Sequence, residues 1–157
     1  MDFKGVLFIG LMITKDGPKV IEFNNRFGDP EAQSVLMRLD SDLADIFTAV
    51  TENRLSETEM KWSDKKAVCV VLASGGYPVK YQSGYPISGL EEAGKSATVF
   101  HAGTKRQEDG TIVTAGGRVL GVTALGADLD EAISNAYAAC APISFQDMHM
   151  RKDIGKV

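Results

Sequence analysis

The sequence predicts an α+β protein with mostly antiparallel strands, organised in two parts. Two apolar runs around a short turn open the chain, and two helical patterns follow them. A polar stretch at residues 51–64 then interrupts the apolar periodicity, which is typical of a domain boundary. Beyond it, strand patterns joined by tight turns lead to one capped helix. Short turns between strands favour antiparallel pairing.

The first part, residues 1–60, begins with a predicted hairpin. Apolar runs at 5–14 and 19–24 flank a turn-forming segment, Lys15-Asp-Gly-Pro18. A helix is expected from Pro30 to Leu39, with Asp29 as its N-cap. Ser41 is interpreted as the N-cap of a second helix that runs to about Asn53. Its apolar side would consist of Leu43, Ile46, Phe47 and Val50.

The second part, residues 61–157, begins with a continuous apolar run, Ala67 to Ala73, which predicts a strand covered on both faces. Strands at 98–104 and 111–114 would form a hairpin around Gln107–Gly110, and a further strand is expected at 118–125. Asp128-x-x-Glu131 is a capping-box variant. A short edge strand is predicted at 143–145. The helix after the cap should bury Leu129, Ala132, Ile133, Ala136, Tyr137 and Cys140.

Composition excludes several classes of protein. The net charge is −4 and no basic run is present, so nucleic acid is not an expected partner. The longest apolar run, Gly5 to Ile13, is too short to cross a bilayer and lacks the features of a secretory signal, so no membrane partner is expected. Cys69 and Cys140 are predicted to be buried reduced thiols in a cytoplasmic protein.

Residues 20–33 contain the candidate site. Side chains alternate along a strand, so Glu22 and Asn24 are expected on one face. Their oxygens suit Mg²⁺ (or Mn²⁺), which takes carboxylate and carbonyl ligands together with nucleotide phosphates. Arg26 offers a planar fork for a carboxylate or acyl phosphate. Asp29-Pro30 would bring free backbone N–H groups to the same turn.

A structural explanation remains open for each of these residues. A Glu and an Asn on a strand are commonly its solvated face, and Asp-Pro commonly starts a helix. Gly116-Gly117-Arg118 could bind a phosphate or form a tight turn with a surface arginine. His101 is expected to be a structural histidine rather than a proton shuttle. Gly75-Gly76 and Gly84 are expected in turns that need positive φ.

The ordered run of motifs resembles one family. Arg26-Phe-Gly-Asp-Pro-Glu-Ala-Gln33 is similar to the signature block of phosphoribosylamine–glycine ligases (glycinamide ribonucleotide synthetases) of the ATP-grasp superfamily, and Glu22-Phe-Asn24 is similar to the metal-binding strand before it. The resemblance covers nearly the whole chain. It continues through Ala73-Ser-Gly-Gly-Tyr-Pro78, Phe100-His-Ala-Gly-Thr104, Gly116-Gly-Arg-Val-Leu120 and Arg151-Lys-Asp-Ile-Gly155.

The resemblance implies a fold, a reaction and residue roles. Residues 1–60 would be the C-terminal segment of an ATP-grasp domain, and residues 61–157 a small C-terminal α+β domain. The enzyme would join glycine to 5-phosphoribosylamine through glycyl phosphate, with ATP as co-substrate, in purine biosynthesis. Glu22 and Asn24 would hold the metal, and Arg26 would bind the glycine carboxylate and its acyl phosphate. Asp29 would cap the helix or accept the glycine ammonium group.

The family's proteins are longer, so the chain is expected to be a fragment without the nucleotide-clasping and phosphoribosylamine-binding lobes. One alternative is therefore a catalytically silent C-terminal module. A weaker one is a lipoyl- or biotinyl-type carrier domain, although Met60-Lys61 lies in a boundary segment rather than at a hairpin tip. Strands without sheet neighbours favour pairing between chains, so residues 1–60 are expected to self-associate or to be partly disordered.

Overall fold

The computed structural model describes residues 3–156 of the chain. Residues 1, 2 and 157, at the outer ends of the predicted segments 1–60 and 61–157, lie outside the described part. The chain divides into two compact units. Unit one contains residues 3–32 and 39–63, and unit two contains residues 33–38 and 64–156.

The α+β class with antiparallel strands is confirmed. The strands are β1 (Phe8–Thr14), β2 (Gly17–Asn24), β3 (Lys66–Ala73), β4 (Thr98–His101), β5 (Thr104–Arg106), β6 (Ile112–Thr114) and β7 (Arg118–Gly126). The helices are α1 (Glu31–Val35), α2 (Leu43–Thr51), α3 (Leu90–Ala93) and α4 (Leu129–Cys140), with single 3-10 turns at Leu36–Arg38 and Leu55–Glu57.

The predicted hairpin is confirmed in unit one, where β1 and β2 form a two-stranded antiparallel sheet. Gly17 has a φ of +95° in the connecting turn, a conformation that favours glycine. Helix α2 follows, but its N-cap is Asp42, whose side chain accepts a hydrogen bond from Ala44 N at 2.7 Å. The prediction of Ser41 was wrong because its hydroxyl instead accepts from Lys61 N at 2.7 Å.

The predicted helix from Pro30 to Leu39 was wrong in its bounds. Helix α1 begins at Glu31, and its first i to i−4 hydrogen bond runs from Ala32 N to Gly28 O at 3.0 Å. After Val35 the chain tightens into a 3-10 turn. Leu39 then pairs with Trp62 in an isolated antiparallel bridge, and this extended pairing ends the helical conformation.

Unit two is built on a three-stranded antiparallel sheet of order β3-β7-β4. Strand β3 is confirmed, and most of its residues are buried. Helix α4 packs on this sheet around a core of Val68, Val70, Leu72, Leu120, Val122, Ala124, Ala132, Ala136, Ala139 and Cys140. Burial of these apolar side chains is the main stabilising contribution in this unit.

The predicted capping box of α4 is confirmed. The Asp128 side chain accepts from Glu131 N at 2.9 Å, and the Glu131 carboxylate accepts from Ala127 N. The buried stripe was wrong at Leu129, which is 41% exposed. The helix backbone lies close to the end of β7 at Glu131 and Ala132, which a Cβ at Gly126 would contact. Leu129 comes before this contact in the chain and remains exposed.

Two strand predictions need correction. The stretch 98–104 is not one strand, because β4 pairs with β7 whereas β5 pairs with β6. The chain turns between them, where Gly103 N donates to Arg118 O at 2.9 Å. The hairpin around Gln107–Gly110 is confirmed as β5–β6. Instead of an edge strand at 143–145, Ser144 alone forms an isolated bridge, with Ser88.

Among residues 3–156, no helix combines the length and the apolar character that a membrane-crossing segment requires.

Candidate functional site

The register of β1 against β2 determines which face of the hairpin each residue lies on. Gly10 is opposite Glu22 and Phe8 is opposite Asn24, whereas Leu11 is opposite Val20. Ile21 is therefore an extra residue in β2, a β-bulge. Directly opposed residues of an antiparallel pair share a face. Glu22 and Asn24 thus lie on one face of the hairpin.

The bulge separates polar from apolar residues. Without an extra residue, Val20 would share a face with Glu22 and Asn24, because side chains two positions apart point the same way. With Ile21 bulged, Val20 lies on the opposite face with Phe23. We call this opposite surface the apolar hairpin face. It consists of Ile9, Leu11, Ile13, Val20 and Phe23, all exposed by 44–76%.

The two predicted metal ligands differ in their surroundings. Glu22 is exposed, and no hydrogen bond to its carboxylate is found among residues 3–156. Asn24 is half-buried at the end of β2, and its amide Nδ2 is buried without a hydrogen-bond partner in the described part of the chain. A buried polar atom without a partner is costly unless something else satisfies it.

Arg26 lies in the loop after β2. Its side chain is exposed, and its Nη1 donates to Phe27 O at 2.8 Å. The loop is held by Phe27, whose ring lies 6.3 Å from the ring of Phe47 on α2, centroid to centroid. This aromatic contact links the loop to α2 within unit one.

Asp29 is exposed in the turn that precedes α1, and the Asp29–Pro30 peptide bond is cis. The carbonyl that accepts the first helical hydrogen bond is that of Gly28 rather than Asp29. Gly28 is buried, and the Glu31 carboxylate occupies the space that a Cβ at Gly28 would need. Arg26 and Asp29 therefore flank a compact turn built around a glycine.

Glu22 and Asn24 fit a divalent cation that is shared with a nucleotide. Within residues 3–156, no group of three or more His, Cys, Asp or Glu side chains could hold a metal. Mg²⁺ needs no such group, since one or two protein oxygens, substrate phosphates and water usually complete its shell. The orphaned Asn24 amide suits this arrangement, because its Nδ2 would donate to a phosphate oxygen and its carbonyl oxygen would be available as a metal ligand.

The glycine motifs of unit two have structural partners. The backbone of Gly116 and Gly117 accepts hydrogen bonds from Ser74 Oγ and Ser74 N, both at 2.8 Å. His101 is exposed, and its Nδ1 lies 3.0 Å from Thr104 Oγ1. Gly76 and Gly84 have φ of +88° and +94°, as the turn prediction required. The prediction was wrong at Gly75, which does not have positive φ; there a Cβ would lie 2.7 Å from Asp147 Cβ and O.

Sequence reasoning missed two residues of this site, Gly10 and Ile21. Neither carries a functional group, so neither was a candidate. The signal that could have found the bulge is the break in the alternation of β2, where the apolar residues Val20 and Ile21 are adjacent. Val20, Glu22 and Asn24 alternate with Ile21 and Phe23, so without a bulge apolar Val20 would share the polar face.

Comparison with known proteins places this geometry in a class. Residues 1–32 match an ATP-grasp domain, so the hairpin belongs to the ATP-grasp class. The matching domain is the ATP-grasp (A) domain of phosphoribosylglycinamide synthetase. Residues 67–157 match the C domain of the same enzyme family. The chain belongs to the phosphoribosylglycinamide synthetase family, which confirms the resemblance seen in the sequence.

Individual relatives agree with this assignment. A phosphoribosylamine–glycine ligase of Caldanaerobacter subterraneus subsp. tengcongensis is 53% identical over 152 residues, which are 97% of this chain and 36% of the relative. A chloroplastic one of Arabidopsis thaliana is 51% identical over 158 residues, covering 98% of this chain and 30% of the relative. A crystal structure of the Thermotoga maritima phosphoribosylamine–glycine ligase matches with a TM-score of 0.73 and 30% identity over 94% of this chain and 36% of that one. The chain thus spans about a third of these proteins.

Proposed function

We propose that this chain carries the metal- and glycine-binding segment of an ATP-dependent ligase. The ligase would join glycine to 5-phosphoribosylamine and yield glycinamide ribonucleotide, ADP and phosphate in purine biosynthesis. The observation that carries the proposal is the shared face of Glu22 and Asn24, next to the loop that holds Arg26. The names of the relatives support it.

The proposed chemistry has two steps. Oxygen of the glycine carboxylate attacks the γ-phosphorus of ATP, ADP leaves, and glycyl phosphate forms. The amine of 5-phosphoribosylamine then attacks the glycyl carbon, the bond from that carbon to the phosphate oxygen breaks, and phosphate leaves as the amine loses a proton. Such steps depend on positioning and on neutralising charge, since side chains do little covalent work.

Each proposed residue has one task. Glu22 and Asn24 hold Mg²⁺ or Mn²⁺, which when bound neutralises charge on the phosphates. Arg26 has five N–H donors, and its bond to Phe27 O leaves enough of them for a bidentate pair with the glycine carboxylate and then with the acyl phosphate. Asp29 accepts the glycine ammonium group. The alternative is that its carboxylate caps α1, whose first backbone hydrogen bond runs to the Gly28 carbonyl.

The test uses a full-length ligase that contains this segment. Glu22→Gln and Arg26→Ala should each lower glycine-dependent ADP formation by more than tenfold, about 1.4 kcal/mol of barrier. Lys19→Ala is the matched control, because Lys19 is an exposed β2 residue opposite Met12 on the same face as Glu22. A fall below tenfold for either site variant, with an unchanged control, would show that its role is wrongly assigned.

We also propose a division of labour along the chain. Residues 1–60 complete an ATP-grasp domain and residues 61–157 form a C domain, an assignment supported by the two family matches and by the change of unit after residue 63. By themselves the 157 residues are proposed to be catalytically silent, since they cover about a third of the relatives. Calorimetric titration with ATP and Mg²⁺ tests this, and micromolar binding would contradict it.

Two further properties are proposed. Within residues 3–156 the hairpin pairs with no further strand, and its apolar hairpin face is exposed, so the isolated chain should self-associate through this hairpin. A cytoplasmic location is supported by Cys69 and Cys140, which are buried and form no disulfide among the described residues, as suits a reducing compartment.

A further inference from the structure

Gly10 is an unexplained glycine in the middle of β1. Glycine in a strand interior is destabilising relative to alanine. Such a residue is often needed for a positive φ, but Gly10 has an ordinary extended conformation that any residue could adopt. Backbone geometry therefore gives no reason for glycine at this position, and the reason has to be steric.

The steric reason is the side chain of Glu22. A Cβ added at Gly10 would lie 3.1 Å from Glu22 Cγ and 3.8 Å from Glu22 N and O. The Cγ of Glu22 thus lies close over Gly10, nearer than a Cγ usually comes to the Cβ of an opposed residue. A Cβ at position 10 would require the Glu22 side chain to shift by a few tenths of an ångström.

Displacement is easy because little else holds Glu22. Its carboxylate is exposed and forms no hydrogen bond with another residue in the 3–156 range. The bulge at Ile21 fixes which face Glu22 lies on, and the bare backbone of Gly10 fixes how close to that face its Cγ lies. Glu22 and Asn24 lie two positions apart after the bulge and share a face in either case, so Gly10 is what bears on the position of the Glu22 side chain relative to Asn24.

We infer that Gly10 is a positioning residue that lets Glu22 Cγ approach β1 closely, so that the Glu22 carboxylate can share a cation with Asn24. This inference rests on the proposed function, because it needs the metal role of Glu22 and Asn24. Gly10 contributes no ligand. It acts through Glu22 alone, so its replacement should alter metal binding without harming the fold.

The test compares Gly10→Ala and Gly10→Val in a full-length ligase that contains this segment. Binding of Mn²⁺ in the presence of ATP is measured by electron paramagnetic resonance, together with the Mg²⁺ concentration for half-maximal activity. Both variants should weaken Mn²⁺ binding by about tenfold, the lower end for residues that orient a ligand. The KM for glycine at saturating Mg²⁺ should not change. Thermal unfolding should occur at the same or a higher temperature, since strands favour Ala and Val over Gly.

The control is Met12→Val, which changes the next residue of β1 on the same face, opposite Lys19, and should leave Mn²⁺ binding unchanged. Glu22→Gln separates the two proposals. If it weakens Mn²⁺ binding and Gly10→Ala does not, the positioning role is overturned and the proposed function stands. If Glu22→Gln has no effect, the metal role fails and the positioning role with it. Weaker binding in Gly10→Ala with a parallel loss of thermal stability would also overturn the positioning role.

Discussion

Gly103 and Gly116 pack backbone against backbone. A Cβ at Gly103 would lie 2.6 Å from Gly116 Cα and 2.7 Å from Arg118 O, and Ala115 N donates to Gly103 O at 2.7 Å. The contact joins the chain after β4 to the chain before β7. It gives the glycine pair at 116–117 a structural reason that needs no phosphate.

This contact predicts that Gly103→Ala is strongly destabilising. The added methyl group would meet backbone atoms, which cannot move aside as a flexible side chain can, so the free energy of unfolding should fall by about 2 kcal/mol or more. Urea unfolding followed by circular dichroism measures it. Gly94→Ala is the control, because Gly94 has a helical φ of −64° and its nearest neighbour would be Leu90 O at 3.3 Å. Equal stability of the two variants would refute the packing argument.

The C-terminal segment depends on the hydroxyl of Tyr137. This oxygen donates to Arg151 O at 2.7 Å and accepts from Ile154 N at 3.1 Å. Tyr137→Phe should cost about 1 kcal/mol, because a partly buried N–H loses its acceptor. Amide exchange at Ile154 should accelerate. Tyr85→Phe is the control, since its hydroxyl contacts the exposed Gln82, and it should leave Ile154 exchange unchanged.

Two fully buried threonines should respond in opposite ways to replacement by valine. Thr114 Oγ1 accepts from Tyr85 N at 3.1 Å, whereas Thr123 Oγ1 has no partner within the described residues. Thr114→Val should lower the free energy of unfolding by about 1–3 kcal/mol, because it leaves a donor unsatisfied. Thr123→Val removes an unsatisfied oxygen and should be neutral or stabilising. The same urea experiment compares them, and a larger loss for Thr123→Val would contradict the assignment.

The thiol of Cys140 links stability to alkaline pH. Burial, followed by the nearby charge of Cys69, raises the pKa of Cys140 to about 12 from its usual 9.0. Between those values the unfolded chain loses this proton and the folded chain keeps it. The folded state therefore binds more protons, and stability falls as pH rises, by up to about 1.4 kcal/mol per pH unit from this group.

Cys140→Ala should therefore flatten the loss of stability between pH 9 and 10.5 relative to the parent chain. The pH dependence of the parent chain's stability is measured in parallel, because tyrosines and lysines that titrate in the same range contribute equally to both profiles. Cys69→Ala is the control and should flatten the profile less, since Cys69 is the smaller cause. Parallel profiles for all three proteins would show that Cys140 does not titrate on unfolding.

The apolar hairpin face predicts self-association of the isolated chain. Ile13 and Phe23 are 76% and 64% exposed there. Ile13→Lys should shift the chain from oligomer towards monomer in sedimentation velocity at high concentration, because a charge on this face opposes burial. Lys19→Glu on the other face is the control. A compact monomer of the unsubstituted chain at every concentration would rule the prediction out.

Local signals in the sequence were sufficient for much of this fold. The β1–β2 hairpin, strand β3, the β5–β6 hairpin and the Asp128 cap each depend on residues within a few positions of one another, and each was predicted. The family assignment also followed from ordered motifs, and the family matches confirm it. Such features are determined by turn chemistry, side-chain periodicity and capping, which act over short distances.

Tertiary structure alone decided the rest. Ser41 and Asp42 are both suitable N-caps for α2. The Ser41 hydroxyl instead accepts a hydrogen bond from the backbone N–H of Lys61, twenty residues away. The bulge at Ile21 exists because β1 sets the register of β2, and the 98–104 stretch splits because its two halves have different partner strands. Pairing with a second segment of the chain decides each case, and a cap motif or a run of strand-forming residues does not specify which partner it will meet.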